Sequence, residues 1–127
     1  MDLSGLLSVI EEAPSLRELR KRLATDGTVR LTLGLGEGKP AALAGLVDGV
    51  GAPMLVVAAH PNQAEALADD MASWLRRPEQ VIIFPEHSLP PYEHMTTDPE
   101  TVADRLHALT RLLDHPEVIV VTSVKAL

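Results

Sequence analysis

The sequence has no cysteine and very few aromatic residues, which are a single Trp, a single Tyr and a single Phe. The absence of cysteine excludes disulfide frameworks and thiolate zinc sites, and it implies no redox chemistry. The scarcity of aromatic rings leaves few platforms on which the bases of a single-stranded nucleic acid could stack.

Basic residues and long apolar runs are also scarce. Eighteen acidic residues stand against eleven Lys and Arg, which gives a net charge of −7 and opposes attraction to phosphate backbones. No window approaches the roughly 18 apolar residues of a membrane span, and Met1–Ser4 lacks the basic stretch of a secretory signal. We therefore expect a cytoplasmic protein with no membrane association and no autonomous DNA binding, whose acidic surface suits protein partners.

The first 27 residues are predicted to form short helices. Apolar side chains recur at helical spacing in residues 3–12 and 15–24, with Pro14 between them. Ser15 and Glu18 have the spacing of a capping box for the second helix. Residues 1–27 are thus expected to precede an α/β segment over residues 28–127.

That segment alternates strand and helix patterns. Apolar or β-branched strands are predicted at Val29–Leu33, Pro53–Ala59, Gln80–Phe84 and Val118–Thr122, and helices at Ala41–Val47, Asn62–Leu75 and Glu100–Asp114. Continuous apolar runs are typical of strands covered on both faces. The expected fold is a parallel sheet of about four strands with helices on both faces.

The last helix and the loop before it contain two residues of interest. Val102, Leu106, Leu109 and Leu113 recur at helical spacing and are expected to pack inward, which leaves Arg105 to an ion pair, solvent or a partner. The loop between Pro85 and Pro99 contains Tyr92, which is expected to anchor it or contact a partner. Because an apolar strand over Val118–Val121 ends the sequence, we also expect a fragment of a longer protein that exposes this strand and self-associates through it.

A glycine loop follows the first predicted strand. A working P-loop reads G-x-x-x-x-G-K-[ST], because backbone N–H groups and the Lys bind phosphates while the hydroxyl binds magnesium. Here the octet is Leu33 to Pro40, in which Gly38 and Lys39 fit, Leu33 replaces the first glycine and Pro40 replaces the hydroxyl residue. Glu37 adds a negative charge among Gly36, Gly38 and Lys39, so the predicted nucleotide site of residues 36–40 is degenerate and inactive.

Two plainer interpretations of this loop stay open. Its glycines could simply turn the chain from strand to helix, or the loop could hold a stray anion at the helix N-terminus. No acidic pair follows a strand, so a Walker-B magnesium site is missing as well.

Several segments resemble the N-terminal, UvrB-homology module of bacterial transcription-repair coupling factors. Residues 33–75 resemble the start of UvrB, and the succession of Phe84–Glu93, Arg105–Leu109 and Val118–Val124 is similar to the coupling-factor module. The likeness covers roughly residues 28–127. It implies a P-loop NTPase-like fold, similar to UvrB domain 1a, and DNA repair as the setting.

The family's other properties follow from the resemblance alone. It implies that the full-length parent is an ATP-dependent DNA translocase that displaces stalled RNA polymerase and recruits UvrA for nucleotide excision repair. ATP and magnesium would bind the parent's motor domains, and UvrA and RNA polymerase would bind other domains. This segment would need no cofactor and would contact the rest of its own chain. UvrB's aromatic lesion-probing hairpin is not carried over, because only Tyr92 stands in the corresponding stretch.

No catalytic or metal site is predicted. His60, His87, His94, His107 and His115 lack metal-ligand spacing, and neither Ser88 nor Ser123 lies in a nucleophile pattern. Two rival functions remain: an ATP-binding fragment of a UvrB-like helicase, and an unrelated acidic adaptor that binds proteins.

Overall fold

The computed structural model describes residues 1–30, 38–48, 52–87, 98–115 and 117–127. The chain divides into two compact units, one of residues 1–50 with 70–78 and the other of residues 51–69 with 79–127. The helices are α1 Leu7–Glu11, α2 Pro14–Asp26, α3 Lys39–Val47, α4 Pro61–Trp74 and α5 Pro99–Asp114, and the strands are β1 Met54–Ala58, β2 Val81–Phe84 and β3 Ile119–Ser123. Short 3₁₀ turns lie at Ser4–Leu6, Pro78–Gln80 and Val124–Ala126.

The first unit is helical in the part that the structure describes. The two predicted N-terminal helices are confirmed, but the predicted capping box is wrong: α2 begins at Pro14, one residue before Ser15, and Ala13 is its N-cap without a side-chain hydrogen bond. Proline is favoured at the first helical position because its fixed φ suits the helix and its missing N–H needs no partner there. Gly27 closes α2 with a φ of 69°, a left-handed conformation that favours glycine.

Close packing in this unit depends on a glycine in α3. A Cβ added to Gly45 would lie 2.7 Å from Cδ2 of Leu16 and 3.2 Å from Cγ2 of Ile10. The bare glycine therefore lets α3 approach both N-terminal helices. The buried apolar side chains in the described part of this unit include Leu7, Leu16, Leu19, Pro40, Ala44, Val47, Met71 and Leu75.

The second unit contains a three-stranded parallel sheet in the order β1-β3-β2. The strands predicted at Pro53–Ala59, Gln80–Phe84 and Val118–Thr122 are confirmed to within one or two residues. The strand predicted at Val29–Leu33 is not confirmed: residues 29 and 30 are not in a strand, and residues 31–33 lie outside the described part of the chain.

β3, the last strand in the sequence, is the central strand of this sheet. It pairs with β1 through Val56↔Val121 and with β2 through Ile83↔Val121, and all five of its residues are buried. The expectation that Val118–Val121 would be exposed is therefore wrong, because each side of the strand is hydrogen-bonded to a neighbour. Exposed apolar side chains lie instead on the edge strand β1, at Leu55 and Val57.

The connections follow from this strand order. The chain leads from the edge strand β1 through α4 to the opposite edge strand β2. It then returns through α5 to the central strand β3.

Helix α5 confirms its predicted extent but not its predicted orientation. Ala108 is 1% exposed, whereas the four residues expected to pack inward are exposed by 38% to 86%. A small side chain at Ala108 lets the helix backbone approach the sheet. The apolar stripe of Val102, Leu106, Leu109 and Leu113 consequently faces away from the core of this unit.

Among the described residues, no helix combines the length and apolar character needed to cross a membrane.

Candidate functional site

The described part of the degenerate glycine loop is the start of α3. Gly38 is the N-cap of this helix, with a φ of −80° and no side-chain cap hydrogen bond. Lys39 is exposed and Pro40, which stands at the first turn, is buried. Gly36 and Glu37 lie outside the described residues. The structure thus places Lys39 and Pro40 in the first turn of a helix.

The N-terminus of α3 has fewer groups that could bind phosphate than a working P-loop has. Proline has no N–H and no hydroxyl, so Pro40 contributes neither a backbone donor to an anion nor a ligand to magnesium. Its buried ring instead packs into the helical unit. Lys39 is the one cation that this turn presents.

The opposite end of α3 is fixed by Arg20. Its Nη2 donates a hydrogen bond to the carbonyl oxygen of Asp48 at 3.0 Å and another to that of Gly45. The last carbonyl groups of a helix lack partners within the helix, and a cation near them also interacts favourably with the helix dipole. Arg20 therefore holds the C-terminal end of α3 against α2.

Arg20 belongs to a cluster of charged side chains in the helical unit. Glu11 lies 3.7 Å from Arg20 and 3.5 Å from Arg76, and Arg76 also bonds the Asp48 carboxylate. These side chains are 22% to 54% exposed, so each pair contributes only a fraction of a kcal/mol, roughly 0.2–1. The cluster was missed in the sequence, because no local spacing links residues so far apart in the chain.

A cavity of about 410 Å³ lies near the N-terminus, lined in part by Asp2, Ser73 and Arg76. Hydrogen bonds from the side chain and the backbone N–H of Ser4 lower the pKa of the Asp2 carboxyl. Arg76 is already paired with Glu11 and Asp48. The guanidinium group of Arg76 is therefore already neutralised by two carboxylates at this cavity.

In the sheet unit, Arg105 clamps three elements together. Its Nη1 donates to the carbonyl oxygens of Pro85 at 2.6 Å and Ala126 at 3.3 Å, and its guanidinium carbon lies 4.0 Å from the centroid of the Phe84 ring. Thr122 adds a hydrogen bond from Oγ1 to the Phe84 carbonyl at 2.8 Å. Arg105, which was predicted to form an ion pair or to contact solvent or a partner, thus connects α5 to the end of β2 and to the C-terminal turn within the chain.

The carboxyl ends of parallel strands are where α/β sheets usually bind ligands. β2 is followed by Pro85, Glu86 and His87, and Oε2 of Glu86 is buried without a hydrogen-bond partner among the described residues. β1 is followed by Ala59 and His60, and β3 by Val124 and Lys125, with no acidic pair at either end. Ser123 is 2% exposed, which leaves its hydroxyl out of reach of a substrate. In the described ranges, no group of His, Asp and Glu side chains is arranged to hold a metal ion.

Tyr92, the other predicted contact residue, lies outside the described residues, as do His94 and Ser88. Of the loop between Pro85 and Pro99, only residues 85–87 and 98–99 are described. The proposed roles of Tyr92 remain predictions.

No protein-family model matches the sequence. No curated protein matches it either.

Proposed function

We propose that this chain is a non-catalytic, UvrB-like scaffold segment of a transcription-repair coupling factor. The sequence resemblance supports this assignment, and the parallel α/β sheet is compatible with the P-loop NTPase-like fold that the resemblance implies. In such a parent, ATP hydrolysis and the binding of RNA polymerase and UvrA belong to other domains. This segment would support them structurally and would need neither ATP nor magnesium.

The observation that carries the proposal is the position of Pro40. It is the second residue of α3, it is buried, and it directly follows Lys39. A P-loop requires a serine or threonine at that position to bind magnesium. Proline at this position is compatible with the start of the helix but provides no hydroxyl group for magnesium. This is what we expect where a nucleotide-binding element has kept only a structural role.

The arrangement of Arg105 fits the same function. Arg105 is half-buried, bonds two carbonyl groups and stacks on the Phe84 ring, so its contacts stabilise the sheet unit. The charged cluster around Glu11 and Arg76 does the same for the helical unit. A rigid, catalytically silent platform is what a scaffold segment requires.

The first test is a calorimetric titration of the chain with ATP and magnesium. We expect no binding below about millimolar concentrations, which corresponds to less than roughly 4 kcal/mol of binding free energy. Lys39→Ala should behave in the same way. A micromolar dissociation constant that Lys39→Ala abolishes would contradict the proposal and favour an ATP-binding fragment of a UvrB-like helicase.

The second test is binding in trans. A transcription-repair coupling factor from which the homologous segment has been deleted should bind the purified chain, and purified UvrA should not. Lys39→Ala should bind as well as the unmodified chain, because a scaffold does not use that amine. Failure of the truncated factor to bind would contradict the scaffold function and favour the unrelated acidic adaptor.

A further inference from the structure

The sheet unit exposes a continuous apolar stripe along α5. Val102, Leu106, Leu109 and Leu113 are 38%, 60%, 48% and 86% exposed. Their spacing of four, three and four residues is that of one seam of a coiled coil, and it places them in a row on one side of the helix. The stripe therefore has the pattern by which one helix packs along another.

The edge strand β1 exposes apolar side chains on the same face of the sheet. Val57 pairs with Thr122, which pairs with Phe84, so these three residues form one row across one face. Arg105 of α5 lies over the Phe84 end of that row, whereas Val57 at the other end is 45% exposed and its neighbour Leu55 is 56% exposed. Helix α5 thus covers the β2 side of this face and leaves the β1 side open.

The stripe faces the open side. Ala108 marks the side of α5 that meets the sheet, and the stripe lies roughly a third of a turn around the helix from it. Arg111 lies on the other side and donates from Nη2 to the Glu79 carbonyl at 2.9 Å, next to β2. The right-handed connection from β2 to β3 gives the same orientation. The stripe and the two β1 residues accordingly form the wall and floor of one groove, which we call the α5–β1 groove.

Apart from Arg105, whose guanidinium group is held against Phe84 and the Pro85 carbonyl, the charged residues of α5 lie on the part of the helix that faces away from this groove. Glu100, Asp104, Arg111 and Asp114 all lie on the half of the helix opposite the stripe, by the helical turn of about 100° per residue. The positions beside the stripe, on its solvent side, are the small uncharged residues Ala103 and Thr110. The α5 helices of two copies could therefore pack by their stripes without their acidic side chains meeting, although each copy carries a net charge of −7.

We propose that the α5–β1 groove is the contact surface between two copies of this chain. With a two-fold axis parallel to the helices, the two α5 stripes pack side by side in a parallel pair, and each α5 also covers the partner's Leu55 and Val57. A two-fold axis perpendicular to the sheet would leave that floor uncovered. The parallel pair, enclosed between two sheets, is thus the arrangement that buries both parts of the groove.

The size of the groove suits such a pair. Its six aliphatic side chains present on the order of 500 Å² of apolar surface, which is at the upper end for a patch on a monomer. A stable interface buries about 800 Å² on each partner, including a polar rim. The groove supplies the apolar centre of an interface of that size. This inference does not depend on the proposed scaffold function.

Sedimentation equilibrium of the full chain over roughly 1 to 500 µM tests the proposal. We expect a reversible transition to twice the monomer mass. Leu106→Glu and Leu109→Glu should each weaken the dimer at least about 100-fold, because a charge would be buried at the centre of the contact. Val9→Glu is the matched control: Val9 is 67% exposed on α1, outside the groove, and its substitution should leave the dissociation constant unchanged. A strict monomer over the whole range would overturn the proposal, and so would equal weakening by Val9→Glu.

Disulfide cross-linking provides a second measurement that does not depend on how well a charged variant folds. The chain has no cysteine, so Leu109→Cys adds a single thiol that should lie opposite its own copy in a parallel pair. Mild oxidation should give a covalent dimer with Leu109→Cys and none with His107→Cys, on the charged side of α5. Equal cross-linking of the two variants would overturn the proposal. So would preferential cross-linking between Val102→Cys and Leu113→Cys chains, which an antiparallel pair would favour.

Discussion

The guanidinium carbon of Arg105 lies 4.0 Å from the centroid of the Phe84 ring, and the same side chain bonds the carbonyl group of Pro85, the next residue along the chain. Planar stacking and in-plane hydrogen bonding use different parts of one guanidinium group, so both interactions form at once. Arg105 therefore connects α5 to the end of β2 through a pair of contacts that no other side chain type can reproduce.

Arg105→Lys should destabilise the protein by about 1–2 kcal/mol, since an ammonium group loses the stacking and cannot bond both carbonyl groups in the same geometry. Urea denaturation would measure the loss. Arg22→Lys is the matched control, because the Arg22 side chain is 61% exposed and forms an ion pair with Glu18, one helical turn away. A loss at Arg105 no larger than that at Arg22 would show that the clamp contributes nothing beyond an ordinary surface pair.

Gly45→Ala should also destabilise the protein, by up to about 2 kcal/mol. Alanine is favoured over glycine within a helix by about 1 kcal/mol, but overpacking a buried contact costs about 1–3 kcal/mol. The added methyl would be caught between Leu16, at 2.7 Å, and Ile10, at 3.2 Å, so we expect the clash to exceed the gain in propensity.

Thermal unfolding would decide the sign of this effect. Gly5→Ala serves as the control, because an added Cβ there meets nothing within 4 Å. Leu16→Ala should destabilise the Gly45→Ala variant less than it destabilises the unmodified chain, because the smaller side chain also relieves the clash. An increase in melting temperature for Gly45→Ala alone would contradict the close approach of α3 to α2.

The sequence predicted the strands of the sheet more reliably than their order. Runs such as Met54–Ala58 and Ile119–Ser123 are apolar and β-branched, and local composition suffices to identify them. The central position of β3 depends on which strand edges pair, a non-local property that composition does not record. For that reason Val118–Val121 was expected to be exposed and is buried.

Helix α5 shows the same limit on a smaller scale. The periodicity of its apolar residues predicted its bounds but not its buried side, because Ala108 and the guanidinium group of Arg105, and not the apolar stripe, contact the sheet. Periodicity identifies an apolar side of a helix without saying what covers it. The start of α3 was predicted from the glycine loop, whereas the contacts of Arg20 and Arg76 depend on tertiary structure alone.

The chain should not bind duplex DNA at physiological ionic strength. Its net charge of −7 opposes the release of counterions that drives non-specific binding. A mobility-shift assay at low micromolar protein and about 150 mM salt should show free DNA only. A shift that persists at this salt concentration would contradict the prediction and would require a local basic surface.

The final prediction concerns restoration of the degenerate loop. Leu33→Gly, Glu37→Thr and Pro40→Thr together would return the first glycine, remove the negative charge, and supply both a hydroxyl and a backbone N–H near the phosphates. Each charge-assisted hydrogen bond contributes roughly 1.5–3 kcal/mol, so the triple variant should bind ATP with magnesium at least about 100-fold more tightly than the unmodified chain. Calorimetry would measure the gain, and adding Lys39→Ala to the triple variant should abolish it.

Hydrolysis should nevertheless stay at background, because none of the three described strands is followed by an acidic pair that could hold magnesium in place of a Walker-B motif. Glu86 after β2 is a single acid. A thermal melt should first show that the triple variant folds, since Pro40 is buried and its replacement removes packing. If the folded triple variant gains no affinity, the three residues are not what prevents binding, and the glycines simply turn the chain into α3. If it hydrolyses ATP, an acid other than a pair after these strands completes the site, and the prediction of a missing magnesium ligand is wrong.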